Sequence, residues 1–322
     1  MIKYAEKEFH PEKDSFEEFH SPFGEEFISI AFAHLSLTFH GLDPAWKTLI
    51  AEMYQPFACE DVLSSRSPAA LTEIAGRTAI SGNADIFVVE SSRLSFLKRP
   101  ARGEISRVEF YEKDGFLFFW AYHFACRYDR KTSKGSLAIC TGKDLNRRMI
   151  IENFLRVIFS YLALHNGSFF LHSSGVVKDE KAHLFFGHSG AGKTTVATFA
   201  KSFPLLSDDQ VLVYLRDGKP YASGVPFSGG ERFRHEKDAI PFSNINKEFE
   251  IAGFYWLVKD KRTFLKEMPL VQAAARLASA IPFIKDSPFP MQEALDIATE
   301  IAERARVYAL HFTRDDSFLK II

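Results

Sequence analysis

Cysteine is scarce in this chain, and the three present, Cys59, Cys126 and Cys140, are an odd number at no metal-ligand spacing. That argues against a disulfide framework and against a cysteine-held zinc. Net charge is nearly absent too, since 40 Lys and Arg stand against 41 Asp and Glu. No broad basic field is available to draw in nucleic acid or anionic lipid. Long apolar runs are missing: the densest is "FLFFWAY" at 116–122, far short of the roughly 18 residues a spanning helix needs. The opening "MIKYAEKEFHPEKD" lacks the apolar centre of a signal peptide. A cytoplasmic protein with neither a membrane nor a nucleic-acid partner is the resulting expectation. Histidines are scattered, as at His10, His20, His34 and His40, which predicts no structural zinc site. What the chain does have is 33 phenylalanines, enough for a large aromatic core.

No internal repeat or low-complexity segment divides the 322 residues, so organisation must be read from changes of pattern. Up to about residue 143 the pattern is strand-like. Leu35, Leu37 and Phe39 alternate with Ser36, Thr38 and His40, and Asp114-Gly115 separates two aromatic runs as a hairpin turn does. A second hairpin is predicted at "DRKTSKG". The period then becomes helical through Ile151, Phe154, Leu155, Ile158 and Leu162, with Asp144 as the expected N-cap and Gly167 as the stop. Beyond it come "FFLHSSGVV", a charged turn, "AHLFF", a glycine loop and a helix to about Ser202. "PLLSDDQVLVYL" reads as a further strand, turned at Asp217-Gly218. "YWLV" predicts a strand and "LVQAAARLASA" a helix. Near the end Leu295, Ala298, Ala302 and Ala305 mark a helical face ahead of the strand "VYALHF".

The loop "GHSGAGKT" satisfies G-x-x-x-x-G-K-[ST] with Gly187, Gly192, Lys193 and Thr194, between a predicted strand and a predicted helix. Backbone N–H groups of Gly187, Ser189, Gly190, Ala191 and Gly192 can turn inward around phosphates, supported by the helix start at Thr194 and Thr195. Lys193 can reach the β- and γ-phosphates and Thr194 can ligate Mg²⁺, so ATP and Mg²⁺ are the expected cofactors. His188 reads as a variable loop position. Asp208 and Asp209 follow an apolar run fifteen residues after Lys193, which lets one helix return the chain to a strand ending beside the loop. Paired acids there suit phosphoryl transfer, one associated with Mg²⁺ directly or through water, the other accepting the proton of an attacking hydroxyl. A solvated Asp-Asp turn is the competing reading.

With those residues in view, "FLHSSGVV…FFGHSGAGKTT…LLSDDQV" resembles the kinase core of HPr kinase/phosphorylase and of the HPr-kinase-like proteins that include lasso-peptide precursor kinases. "SGVPFSGGERF" and "VYALHFTRDDSFLKII" resemble the HPr-kinase-like subgroup more than the HPr enzymes. The likeness covers about 144–322. It implies the PEP carboxykinase-like fold, a mixed sheet with flanking helices. By resemblance, Asp208 is the general base, Asp209 an Mg²⁺-associated acid, Lys193 and Thr194 phosphate and metal ligands, and His172 a polar catalytic group near the transferred phosphate. HPr kinases form hexamers, so a homo-oligomer is implied as well.

The chain also departs from that pattern. The glycine-rich segment that follows the aspartates in HPr kinases is not found, and "GVPFSGGERFRHE" occupies its place. HPr is therefore not the expected substrate. In that stretch Arg232 and Arg234 are candidates for a loop that binds acceptor or phosphate, because arginine offers a forked set of donors. A surface loop is the alternative. The expected architecture is α/β (α+β), with a β-rich part over 1–143 and an HPr-kinase-like P-loop part over 144–322. The expected activity is Mg-ATP-dependent transfer to a hydroxyl, on serine of a peptide or small protein or on a small molecule. A nucleotide-responsive binding module that transfers nothing is the alternative class.

Overall fold

The computed structural model describes residues 9–11, 21–60, 82–99, 107–141, 145–227, 246–286 and 289–322. They form a mixed α/β structure with two nine-stranded mixed sheets and five α-helices among the described residues. The first sheet is built from β1 (Ser21–Pro22), β2 (Glu26–Phe32), β3 (Leu35–Leu42), β4 (Ala58–Cys59), β5 (Asn83–Ser91), β6 (Glu109–Lys113), β7 (Phe116–Trp120), β8 (Phe124–Asp129) and β9 (Lys134–Cys140). Its order is β4-β2-β3-β5-β9-β8-β7-β6, with β1 paired to the end of β5. Strands β6 to β9 are an antiparallel meander, whereas β5 runs parallel to both β3 and β9.

Both predicted hairpins form. Asp114 and Gly115 take φ of 54° and 86° between β6 and β7, which a two-residue primed turn requires, and the "DRKTSKG" stretch joins β8 to β9. The strand-like reading missed helix α1 (Pro44–Tyr54). Its start was legible: Asp43 accepts a hydrogen bond from the Trp46 N–H at 2.7 Å and Pro44 opens the first turn.

Helix α2 (Arg147–His165) begins at Asn146, whose side chain caps Met149 N–H at 3.1 Å, rather than at Asp144, which lies outside the described residues. The chain leaves it through Gly167 at a φ of 68°. This helix is buried on most of its circumference. Phe154 packs on Phe39, Phe119 and Phe124 of the first sheet, while Phe159 meets Phe32 and Phe227. One continuous hydrophobic cluster therefore runs from the first sheet through α2 into the second.

The second sheet comprises β10 (Ser168–Leu171), β11 (Ser173–Lys178), β12 (Lys181–Phe186), β13 (Leu205–Ser207), β14 (Val211–Arg216), β15 (Lys219–Ser223), β16 (Glu248–Lys259), β17 (Phe264–Glu267) and β18 (Val307–Phe312). The path is β10-β14-β15-β16-β12-β11-β13, and β18 joins β16 to β17. Helices α3 (Lys193–Phe199), α4 (Leu270–Ser279) and α5 (Met291–Arg304) accompany it. "YWLV" is the inner part of the long β16.

Two expected single strands are broken. "FFLHSSGVV" divides at His172 because β10 pairs with β14 while β11 pairs with β12 and β13. "PLLSDDQVLVYL" divides over 208–210 into β13 and β14. An apolar run carries no mark of where a strand exchanges partners. The buried face of α5 is also rotated from the expected one: Ala294, Ile297, Ala298 and Ile301 are buried, while Leu295 is exposed.

Candidate active site

The two strand breaks lie side by side. Ser173 N–H donates to the Asp209 carbonyl at 3.0 Å, which brings the polar residues of both breaks to one place. His172 is held there from its other flank by its N–H donating to the Ala280 carbonyl at 2.9 Å. The Ser207 hydroxyl accepts from the N–H groups of Asp209 and Gln210, both at 3.2 Å, and so shapes the turn after β13.

The glycine loop sits at the end of β12, between β11 and β16. Gly190 and Gly192 have φ of 75° and 113°, values a side chain resists. At Gly192 there is a second reason for glycine, because a Cβ would come within 2.9 Å of Phe312 Cζ. Ala191 N–H closes the loop onto the His188 carbonyl at 3.0 Å, and Lys193 Nζ folds back to donate to the Gly187 carbonyl at 3.2 Å. Burial pulls the Lys193 ammonium below its ordinary pKa, and Asp209 opposes the shift. Ser189, Gly190 and Thr194 are exposed and Thr195 is half-buried.

Ser174 joins loop to aspartates. Its buried hydroxyl lies 3.1 Å from the Lys193 carbonyl and 3.4 Å from the Asp208 carbonyl. Asp208 itself is only 6% exposed. Asp209 is engaged on both carboxylate oxygens, Oδ1 by His172 Nδ1 at 3.1 Å and Oδ2 by Arg156 Nη1 at 2.8 Å. Burial would raise its pKa, but His172 and the Arg156 guanidinium outweigh that and hold it at about 2. Arg156 comes from α2, also binds Glu152 at 2.9 Å, and places its guanidinium carbon 5.0 Å from the centre of the Phe227 ring.

Beside the loop opens a cavity of about 360 Å³ whose walls include His172, Gly187, His188, Gln210, Trp256 and the chain over 279–282. Trp256 is wedged between the edge-on His188 ring at 4.7 Å and the Arg276 guanidinium at 4.3 Å. His172 keeps 44% of its side chain exposed here.

The fold thus brings together Gly187 to Thr195, His172, Asp208 and Asp209. Arg232 and Arg234 lie outside the described residues. Sequence reasoning missed Ser174, Arg156 and Gln210. An arginine embedded in the apolar face of α2 was a signal that its charge had a buried partner. Ser174 and Gln210 carried no such mark.

No family model and no curated protein matches the chain. Among solved structures it is similar to the HPr(Ser) kinase/phosphatase from Coxiella burnetii, at 12% identity over 47% of this chain and 90% of that one, with a TM-score of 0.27. The likeness is distant, and no residue role is transferred from it. Among the described residues no helix is long and apolar enough to cross a membrane.

Proposed function

We propose that the chain is an Mg-ATP-dependent phosphotransferase that moves the γ-phosphoryl group to a hydroxyl, on serine of a peptide or small protein or on a small molecule, with residues 144–322 carrying the activity. The observation that carries this reading is the Ser174 hydroxyl set against both the Lys193 and the Asp208 carbonyls. That contact supports the reading because phosphoryl transfer needs a phosphate-binding loop beside a pair of acids.

In this reading the loop amides and Lys193 hold the β- and γ-phosphates. Asp208 accepts the acceptor's proton as its oxygen bonds to the γ-phosphorus, the bond to the β–γ bridging oxygen breaks, and ADP leaves. Asp209 orients His172 through Nδ1 and leaves Nε2 available towards the transferred group. Arg156 keeps Asp209 ionised. The donors suit magnesium, a hard cation that keeps phosphate and water as most of its ligands: the Thr194 hydroxyl is exposed at the loop exit and the Asp209 carboxylate is held charged. Thr194 would hold the ion directly and Asp209 through water. When bound, the ion offsets charge on the phosphates.

The test compares the protein with its Asp208→Asn variant in γ-labelled ATP and a lysate of its source. Label transfer is expected to fall by a factor of about 10² to 10⁴, with nucleotide affinity within about threefold of the parent. Equal labelling by the two proteins refutes Asp208 as the base. Tight ATP binding without transfer by either refutes the kinase reading and leaves a nucleotide-responsive binder.

A further inference from the structure

Gln210 has no place in the phosphate chemistry, yet it is almost wholly enclosed at the wall of the cavity beside the loop. Its backbone is fixed, since its N–H donates to Ser207 Oγ. Its side-chain oxygen is buried and has no hydrogen-bond partner among the described residues. Enclosed polar atoms are nearly always paired, and leaving one unpaired is a standing cost to the folded state. Such a cost is removed when a ligand supplies the missing donor. The last torsion of a carboxamide is soft, so the group can turn its oxygen towards a donor in the cavity.

The cavity's chemistry narrows the ligand. Among the described lining residues none is Asp, Glu, Lys or Arg, so an ammonium finds no direct counter-charge among them. The ring of His172 and the oxygen of Gln210 belong to adjacent strand breaks. A ligand spanning them presents a hydroxyl to the first and a second donor to the other.

We propose that Gln210 is a specificity-determining residue for the phosphoryl acceptor, and that the acceptor is a group without an ammonium that bears a second hydrogen-bond donor, N–H or O–H, beside the hydroxyl that is phosphorylated. The proposal rests on the kinase reading for the word acceptor, but the subsite itself is defined by the cavity and the unpaired carboxamide. Recognition by a buried acceptor is selective because a ligand lacking the donor leaves the oxygen unpaired.

The test uses four neutral probes: glycolamide and ethylene glycol, which carry the second donor, and N,N-dimethylglycolamide and 2-methoxyethanol, in which methylation removes it. Binding to the nucleotide-loaded protein is followed through the Gln210 side-chain amide and His172 ring resonances. At least one donor-bearing probe is expected to bind about tenfold more tightly than its methylated counterpart. The glycolamide and ethylene glycol arms report whether the donor is an amide or a hydroxyl. In Gln210→Met, which keeps the length of the side chain, that preference is expected to vanish, and in Gln210→Glu, which keeps an acceptor oxygen, to persist in part. The methionine variant is expected to melt no lower than the parent, because the oxygen it removes makes no hydrogen bond among the described residues. Equal binding of paired probes, or no binding by any of them, overturns the proposal, as does an undiminished preference in a folded Gln210→Met. Loss of label transfer with the probe preference intact defeats the kinase reading alone.

Discussion

Replacing Asp209 by asparagine tests the electrostatic centre of the site in a way that pH can dissect. The carboxylate is well covered, with 15% of its side chain exposed, and it receives Arg156 on one oxygen and His172 on the other. Its pKa falls from the ordinary 3.8 to about 2. A drop of that size corresponds to roughly 2 kcal/mol of folding free energy at neutral pH. Because the folded value is the lower one, this stability is fully present above the unfolded value and drains away as pH falls through the folded value. About half of it is gone by about pH 3. Asparagine keeps the shape but strips Arg156 of one of its two carboxylates, and Glu152 at 2.9 Å limits the damage. The expected loss at pH 7 is about 2–3 kcal/mol. Urea unfolding of both proteins at pH 7, 5 and 3 measures it, and the gap should shrink by about half at the lowest pH. A gap unchanged across that range, or an asparagine variant as stable as the parent, would refute the argument that the ionised carboxylate is what these partners stabilise.

Two further outcomes follow from the loop. Gly192→Ala meets both a φ of 113° and Phe312 Cζ at 2.9 Å, whereas Gly190 has a φ of 75° and open space around it. The first substitution should therefore cost about 1–3 kcal/mol and weaken nucleotide binding, and the second should cost about 1 kcal/mol, as thermal melts and ATP titrations would show. Ser174→Ala removes the hydroxyl between the Lys193 and Asp208 carbonyls at a cost of roughly 1–2 kcal/mol. It should lower the rate of label transfer more than ATP affinity, and an equal fall in both would show that the serine only supports the loop.

The local chemistry of this chain was legible in its sequence wherever the signal is short-range. The turns at Asp114-Gly115 and Asp217-Gly218 have positive φ at both positions, as residues of those types allow. The glycine loop reads from its spacing because its main requirements, a strand before, a helix after and glycines where the backbone takes positive φ, are local to the chain. Helix α1 was legible at Asp43-Pro44 and went unread under a strand-like surround. The α5 face was misplaced because alanines mark a helix without saying which side is covered.

The sequence by itself thus determined the glycine loop, the paired aspartates and the aromatic supply for the core. Tertiary structure alone decided that Asp209 and His172 meet, that Ser174 bridges the loop to Asp208, and that Arg156 reaches them from a helix that also packs on the first sheet. The physical reason is that strand exchange and helix docking depend on pairing between segments far apart in the chain. Apolar runs that pair with different neighbours look alike until the neighbours are in place, and a buried charge finds its partner only when the core closes around both.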